Sequence, residues 1–221
     1  MEKLSFPAQK IIVGIDEAGR GPLAGPVIAC AITLPQFSIS VPSGHLPQGN
    51  NSQFSNLKDS KLLSPKQREK LYLLLKQHPD VHWGIGNVSE KQIDKINILQ
   101  ATRLAMKKAV LSLEQKLRKR AGKSYHHFLI DSLIIDGNTL LDLPISQKAI
   151  VKADATIFQC MAASIIAKVT RDRLMLRLHE KYPVYGFDRH KGYGTKLHFA
   201  MLKKHGPCPI HRLSFAPCKQ E

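Results

Sequence analysis

Short apolar runs recur along the chain and predict the strands of a sheet. Three come first, at residues 11–14, 27–33 and 81–88, and two follow, at residues 129–136 and 149–151. Runs of this length, rich in β-branched residues and bounded by Gly, Pro, Asn or Asp, are typical of β-strands. The pattern therefore predicts five strands.

A polar segment between the second and third runs carries a helix start signal. Ser64 and Gln67 have the spacing of a capping box, and Pro65 stands at the first helical position. These residues satisfy or avoid the unpaired amides of a first helical turn. We therefore predict a helix over residues 65–77.

Two longer helices are predicted in the rest of the chain. Ser89 and Gln92 form a second capping-box pattern, which opens a helix to about residue 120 with a break near Asn97. From about residue 159 apolar side chains repeat every four residues, and the Tyr-Pro pair at 182–183 ends this third helix.

The order of these elements predicts how the strands pair. Three strands precede the long second helix, which suggests an antiparallel meander, and a strand reached through a long helix suggests a parallel neighbour. The fold class is therefore α/β, with a mixed five-stranded sheet flanked by helices. We expect one main domain over residues 1–180, which includes an exposed polar loop at 36–56. A small helical C-terminal extension would cover residues 181–221.

Charge narrows the class of partner. The 221 residues include 33 Lys and Arg against 17 Asp and Glu, a formal net charge of +16. Such an excess argues for a polyanion, and first for a nucleic acid. A dense basic patch at residues 116–123 is either a solvated helix end or a nucleic-acid contact, and the sequence leaves both open.

Other compositional features point to a cytoplasmic protein. The chain has no apolar run as long as a membrane span, so we expect no membrane contact, and its first residues lack the core of a signal peptide. The four cysteines form no Cys-x-x-Cys pair and are expected to be reduced thiols.

Carboxylates follow three of the predicted strands. Asp16 and Glu17 come after the first, Asp136 ends the fourth, and Asp154 lies just beyond the fifth. If the first and fourth strands are parallel neighbours, these acids meet at one edge of the sheet. Clustered carboxylates repel one another unless cations bind, and Mg²⁺ or Mn²⁺ prefers such oxygen ligands. Two ions about 4 Å apart can activate a water and stabilise the leaving oxygen of a phosphodiester.

A glycine-rich turn follows the first pair of acids. Gly19 and Gly21 let the backbone approach a ligand, and Arg20 between them suits a phosphate. A further acid, Asp131, competes with Asp136 for the metal site. We choose Asp136 because it stands at the predicted end of a strand, within the sequence I-D-G-N.

Six segments together resemble the type 2 ribonuclease H family, also called ribonuclease HII. They are G-I-D-E-A-G-R-G-P at 14–22, D-S-K at 59–61, I-D-G-N at 135–138, K-A-D at 152–154, A-A-S-I-I-A-K-V-T-R-D-R at 162–173, and Y-G-F…H-K-G-Y-G-T at 185–195. They occur in the family's order and cover nearly the whole chain outside the polar loop. The resemblance implies a ribonuclease H-like fold. It also implies a metal-dependent endonuclease that cuts RNA in RNA–DNA hybrids and cuts duplex DNA at single embedded ribonucleotides.

The resemblance also implies roles for individual residues. Asp16, Glu17, Asp136 and Asp154 would be the catalytic, metal-binding acids, with two Mg²⁺ or Mn²⁺ ions during catalysis. The backbone of Gly19, Arg20 and Gly21 would read the ribose 2′-hydroxyl, which distinguishes RNA from DNA. Tyr193 would stack on the next sugar. The remaining substrate-binding candidates contact phosphates: Asp59, Ser60, Lys61, Lys168 and Arg171.

Alternatives remain for the function and for two smaller sites. A non-catalytic basic module would explain the charge but not three acid sites, and the related type 3 ribonuclease H usually carries an extra N-terminal domain. His205, Cys208, His211 and Cys218 fit no common zinc spacing well and are assigned a structural or substrate-contacting role. Asp172 is expected to pair with a neighbouring arginine. We expect a monomer that needs no obligate protein partner and has no C-terminal motif for a replication clamp.

Overall fold

The central strand of the sheet carries the first two acids within it. The computed structural model describes residues 10–34, 60, 62–121 and 129–218. Strand β1 (Ile12–Ala18) lies in the middle of a five-stranded sheet of order β3-β2-β1-β4-β5. The strand was predicted to stop before the acids. It continues because the backbones of Asp16 and Glu17 pair with Cys30 and Ala29 of the neighbouring strand.

The sheet is mixed, as predicted from the element order. Strands β2 (Val27–Thr33) and β3 (His82–Val88) continue antiparallel from β1, whereas β4 (Ser132–Asp136) and β5 (Ser146–Ile150) lie parallel on its other side. The fifth strand starts three residues earlier than predicted. This edge strand pairs only with β4, so polar residues such as Gln147 fit it without an apolar pattern.

Helices cover both faces of the sheet. Helix α2 (Glu90–Ala121) packs on one face, and α4 (Phe158–Lys181) packs on the other, with α1 (Pro65–Gln77) outside it. Each face has its own apolar core, one around Val13, Ile15 and the buried residues of α2, the other around Ile32 and the alanines of α4. The shorter elements are α3 (Ala153–Thr156), a 3₁₀ turn (Pro183–Tyr185), α5 (Phe187–His190) and α6 (Lys196–His205).

Two predicted local signals are confirmed. The Ser64 hydroxyl accepts from the amide of Gln67, and the Gln67 side chain accepts from the amide of Ser64, at 3.3 and 2.8 Å. Asn97 breaks α2 with a φ of 63° and a ψ of 167°. Its side chain then accepts from the amide of Gln100 at 3.1 Å, as a cap for the second half of the helix.

The start of α4 lies directly on the central strand. A Cβ built on Gly14 would come within 2.4 Å of the Gln159 Cβ, so only glycine allows this approach. The helix that was predicted from about residue 159 begins at Phe158, after the separate turn α3. This packing holds the turn between β5 and α4 close to the acids of β1.

The C-terminal segment packs back onto the beginning of the chain. The amide of Leu23 donates to the carbonyl of Gly192, and the amide of Arg212 donates to the carbonyl of Leu23, both at 2.8 Å. A third apolar cluster forms beneath these contacts, from Leu23, Ala24, Met175, Tyr185, Phe187, Leu202, Ile210 and Cys218. Residues from the beginning and the end of the chain therefore pack together in one region of the molecule.

The cysteines and the basic patch can be compared directly with their predictions. All four cysteines are free thiols, as predicted. In the basic patch, Lys116 donates to the carbonyl of Trp83, Arg118 pairs with Glu114, and Arg120 donates to the carbonyl of Pro79. The polar loop at 36–56 lies outside the described residues, as do positions 122 and 123 of the patch. Among the described helices, none is both long and apolar enough to cross a membrane.

Candidate active site

Three of the four predicted acids meet at the end of the parallel strands. Asp16 lies in β1, Asp136 ends β4, and Asp154 lies in α3; one carboxylate oxygen of each is within 4.8 Å of the others. Parallel pairing of Ile15 with Ile135 puts Asp16 and Asp136 at the same edge. We call these three residues the acid cluster.

Backbone hydrogen bonds bring the third acid into place. Lys152 adopts a left-handed conformation with a φ of 61°, which turns the chain sharply after β5. The Asp136 carboxylate then accepts from the amides of Ala153 and Asp154, at 2.6 and 3.4 Å. One member of the acid cluster thus fixes the turn that carries another.

Glu17 lies beside the acid cluster but outside its 4.8 Å group. Its Oε1 is 3.3 Å from the guanidinium of Arg20, and its Oε2 is buried without a hydrogen-bond partner. A buried carboxylate oxygen with no donor costs free energy. The arrangement leaves this oxygen available to a cation or a ligand donor in the same cleft.

Burial and mutual repulsion shift the pKa values of the carboxylates in this site. Burial, with the charges of Glu17 and Asp136, raises the pKa of Asp16 well above its usual value. Burial also raises the pKa of Glu17, although Arg20 opposes the rise. Crowded carboxylates and the unpartnered Glu17 oxygen form an all-oxygen donor set, which suits a hard divalent cation. The residues present therefore fit a metal ion of the Mg²⁺ or Mn²⁺ kind.

Asp16 and Asp136 of the acid cluster line a cleft of about 240 Å³. Another wall of this cleft is formed by the glycine turn, which we define as Gly19, Arg20 and Gly21, together with Tyr193. The Tyr193 side chain is 42% exposed, and its ring edge is 3.9 Å from the position of a Cβ on Gly21. The predicted recognition residues thus share one cleft with the acids.

Lys168 also lines the cleft, within a small charged group. Its ammonium is 5.6 Å from the centre of the Tyr193 ring and 2.8 Å from the carboxylate of Asp172. The predicted arginine partner of Asp172 was wrong. Lysine takes that place because the two side chains are one helical turn apart on α4.

The structure does not support a direct substrate contact for Arg171. Its side chain is fully buried, and its guanidinium donates to the carbonyls of Pro26, Lys191 and Ala24 at 2.9–3.0 Å. Sequence spacing put Arg171 on the helix of Lys168, but three residues further along it faces the interior. Arg171 instead supports the chain on either side of the cleft.

The remaining predicted residues divide between described and undescribed positions. Asp59 and Lys61 lie outside the described residues. Ser60 is buried, and its hydroxyl is 2.6 Å from that of Ser164. Asp131 accepts from the amide of Ile11 at 2.7 Å on the surface and is not part of the acid cluster.

Two polar residues that line the cleft were missed from the sequence. Arg68 of α1 lines it while donating to the carbonyls of Ser60 and Leu63. Ser164 lines it from α4. A polar residue in the apolar stretch A-A-S-I-I-A was a usable signal for Ser164. Arg68 had none, because it looks like any charged residue on a surface helix.

A chain of buried histidines supports Tyr193 from behind. The amide of Cys208 donates to Nδ1 of His211 at 2.8 Å, so Nε2 of His211 carries the proton and donates to Nε2 of His198 at 3.0 Å. Nδ1 of His198 then donates to the carbonyl of Tyr193 at 2.9 Å. We call this chain the histidine relay. It gives His211, one of the residues with a zinc-like spacing, a structural position.

Together the mixed sheet and the acid cluster define a protein of the ribonuclease H-like fold. The crystal structure of ribonuclease H2 from Pyrococcus horikoshii OT3 superposes with a TM-score of 0.63 at 28% identity and covers 94% of each chain. Bst-RNase HIII in complex with Mn²⁺ has the same TM-score at 17% identity, over 95% of this chain and 68% of that one. The second likeness supports the fold alone.

Sequence relatives give the particular family. The family model for ribonuclease HII matches residues 13–218. Ribonuclease HII of Acetivibrio thermocellus is 49% identical over 206 residues, 93% of this chain and 70% of the relative. Ribonuclease HII of Chlamydia caviae is 49% identical over 212 residues, 95% and 86% of the two chains. The chain belongs to the ribonuclease HII family, and the predicted resemblance is confirmed.

Proposed function

We propose that the protein is a metal-dependent endoribonuclease that hydrolyses the RNA strand of RNA–DNA hybrids. It also cuts on the 5′ side of single ribonucleotides embedded in duplex DNA and leaves 5′-phosphate and 3′-hydroxyl ends. One observation carries the proposal: Asp16, Glu17 and Asp136 line the same cleft as the glycine turn and Tyr193, and Asp154 is grouped with Asp16 and Asp136. Hydrolysis and ribose recognition can therefore act on adjacent atoms of one strand.

In this proposal Asp16, Glu17, Asp136 and Asp154 hold the divalent cations. Bound Mg²⁺ or Mn²⁺, two ions during catalysis, would supply an activated water and stabilise the leaving oxygen. The protein's own groups orient this chemistry. Asp136 ties α3 to β4, and Arg20 holds one oxygen of Glu17 while leaving the other available.

Recognition is assigned to the glycine turn and Tyr193 in the same cleft. The backbone of the glycine turn reads the 2′-hydroxyl, the feature that distinguishes ribose from deoxyribose. Tyr193 stacks on the following sugar, where a deoxyribose lies flat on the ring and a 2′-hydroxyl obstructs it. Lys168, with Asp59, Ser60 and Lys61, holds phosphates. Since Tyr193 belongs to residues 181–221, we infer that this extension contributes to substrate binding beside the main domain, residues 1–180.

We propose that the chain acts as a monomer on nucleic acid without an obligate protein partner. A solved complex of PCNA with RNase HII from Archaeoglobus fulgidus matches this fold at a TM-score of 0.61 and 23% identity, over 96% of this chain and 98% of that one. That likeness concerns the fold. A sliding clamp is therefore not part of the proposal.

The experiment offers two substrates under three ionic conditions. One is duplex DNA with a single ribonucleotide, and the other is a full RNA–DNA hybrid, each with Mg²⁺, Mn²⁺ or EDTA. We expect cutting of both substrates with either metal and none with EDTA, and a 5′-phosphate on the downstream fragment. No cutting of either substrate would indicate a binding module, and cutting of the hybrid alone would point to the type 3 preference.

A further inference from the structure

A buried arginine near the end of the chain holds the glycine turn from behind. We propose that Arg212 is a positioning residue for ribonucleotide recognition, which fixes the peptide groups of the glycine turn so that their amides face the cleft. The inference rests on the proposed function, because it concerns how that turn reads a 2′-hydroxyl. Arg212 itself touches neither the cleft nor the acid cluster.

The guanidinium of Arg212 is bonded to the turn and to the residue that closes the loop after it. It donates to the carbonyls of Gly19 at 2.6 Å, Arg20 at 2.8 Å, and Gly25 at 2.8 and 2.9 Å. The side chain is fully buried. Burial, together with Arg171, lowers the pKa of Arg212 to about 9, so it stays charged at neutral pH. All hydrogen bonds that the Arg212 side chain makes with described residues go to backbone carbonyls.

Because peptide groups are planar, these contacts also determine which way two backbone amides point. In a trans peptide the carbonyl and the following amide point in opposite directions. The Gly19 carbonyl faces Arg212, so the amide of Arg20 points away from it, and the Arg20 carbonyl does the same for the amide of Gly21. Neither amide has an acceptor among the described residues, and both residues line the cleft. The turn thus presents a pair of oriented donors to a ligand oxygen.

Arg171 braces the same loop from another side. It holds the carbonyls of Ala24 and Pro26, and a Cβ on Gly19 would lie 2.1 Å from its Nε. Gly19 has a φ of 100°, which an L side chain rarely adopts. The turn is therefore packed against Arg171 and hydrogen-bonded to Arg212.

Arg212 is fixed by contacts outside the turn. The Asp94 carboxylate of α2 accepts from the amides of Leu213 and Ser214 at 3.0 Å, and from the Ser214 hydroxyl at 2.6 Å. Helix α2 therefore holds residues 213–214, these residues position Arg212, and Arg212 orients the glycine turn. Such preorganisation lowers the free energy needed to order the donors when substrate binds.

The test replaces Arg212 by lysine and measures discrimination as well as rate. Lysine keeps the charge but lacks the planar fork that reaches three carbonyls together. For Arg212→Lys we expect kcat/KM on duplex DNA with one ribonucleotide to fall about 10- to 100-fold, as for misaligned donors. Mn²⁺ affinity should stay within about twofold, because the acid cluster is not touched.

A second measurement separates positioning from general support of the fold. In an Asp136→Asn background, which blocks cutting, anisotropy compares binding of a duplex with one ribonucleotide against the all-DNA duplex. Arg212→Lys should bring the two affinities together by weakening the ribonucleotide duplex alone. Arg118→Lys, which alters an arginine paired with Glu114 on α2 away from the cleft, serves as the matched control and should keep the wild-type ratio.

Asp94→Ala gives an independent variant of the same arrangement. It removes the acceptor that holds residues 213–214 and leaves Arg212 in the chain, so we expect a smaller loss of the same kind, about 3- to 10-fold. If Arg212→Lys does not fold, this variant decides alone. An unchanged affinity ratio in Asp94→Ala would then overturn the proposal.

The outcomes also separate this inference from the proposed function. If the wild-type protein cuts no ribonucleotide-containing duplex, the proposed function fails before Arg212 is tested. If the wild type cuts and Arg212→Lys keeps both rate and affinity ratio, the positioning role is wrong. Equal weakening of both duplexes, with lower Mn²⁺ affinity and a lower melting temperature, would reduce Arg212 to a scaffold residue and would also overturn the inference.

Discussion

The two walls of the cleft meet opposite physical demands. On one wall the acid cluster brings like charges together, and Glu17 has a buried oxygen without a donor. On the other wall the carbonyls of Gly19 and Arg20 are bonded to Arg212, and the histidine relay ends on the carbonyl of Tyr193. The first wall has the donors of a cation site, whereas the backbone of the second is already hydrogen-bonded within the protein. The two walls therefore differ in how much of their polar surface the protein itself satisfies.

We expect the largest loss of activity when a single acid of the first wall is replaced. Asp136→Asn keeps an oxygen for the amides of Ala153 and Asp154 but removes the charge, so we expect kcat to fall on the order of 10³-fold or more with the fold retained. Asp131→Asn is the matched control, since Asp131 is an exposed acid outside the cluster that can keep its bond to Ile11.

Single-turnover cleavage and circular dichroism test this pair of variants. The Asp131 variant should stay within about threefold of wild type, as surface changes usually do. Comparable losses in the two variants would contradict the assignment of Asp136 to the acid cluster.

A second test asks whether the two walls differ in their need for cations. Binding of a divalent ion only to the folded state should stabilise the wild type by about 2.7 kcal/mol at 100 times its dissociation constant. The Asp16→Asn variant should gain much less, because it lacks one of the clustered charges. Melting curves with Mg²⁺, Mn²⁺ or EDTA measure this difference. A cation-independent melting temperature for the wild type would refute it.

A third test uses pH, which should act on the two walls with opposite signs. Burial and the neighbouring His198 lower the pKa of His211 to about 4, from an ordinary value near 6.5. Between pH 6.5 and 4 the unfolded chain therefore binds a proton at His211, whereas His211 stays neutral in the folded chain. The relay then loses up to about 2–3 kcal/mol of stability as pH falls through this window. The raised pKa of Asp16 works the other way, because protonation relieves the crowded carboxylates.

Urea unfolding at several pH values in EDTA separates the two contributions. The stability difference between His211→Gln and wild type should shrink as pH falls from about 6.5 to about 4, because only the wild type loses the relay. His205→Gln, which replaces an exposed histidine of α6, is the matched control. A constant difference for His211→Gln across this pH range would contradict the buried, neutral relay.

Sequence reasoning found the features that depend on local signals. The capping box of Ser64 and the break at Asn97 follow from neighbouring residues, and the strand pairing follows from the order of the elements. Asp16, Asp136 and Asp154 stood out because each follows or ends a predicted strand. Arg212 was missed because its partners are up to 193 positions away and no local pattern marks it. The burial of Arg171 was not foreseen for a related reason: its helix was predicted, but its side chain is held by the distant carbonyls of Ala24, Pro26 and Lys191.

The contact between Arg212 and the glycine turn also sets an order in time. Every member of the acid cluster has been synthesised once residue 154 is added, whereas the turn must wait a further 58 residues for its arginine. At 5–20 residues per second this is a delay of roughly 3–12 s. During that interval the growing chain contains all three clustered acids but not the arginine that hydrogen-bonds to its glycine turn. The order of the sequence therefore supplies the residues of the acid cluster before the residue that supports the turn.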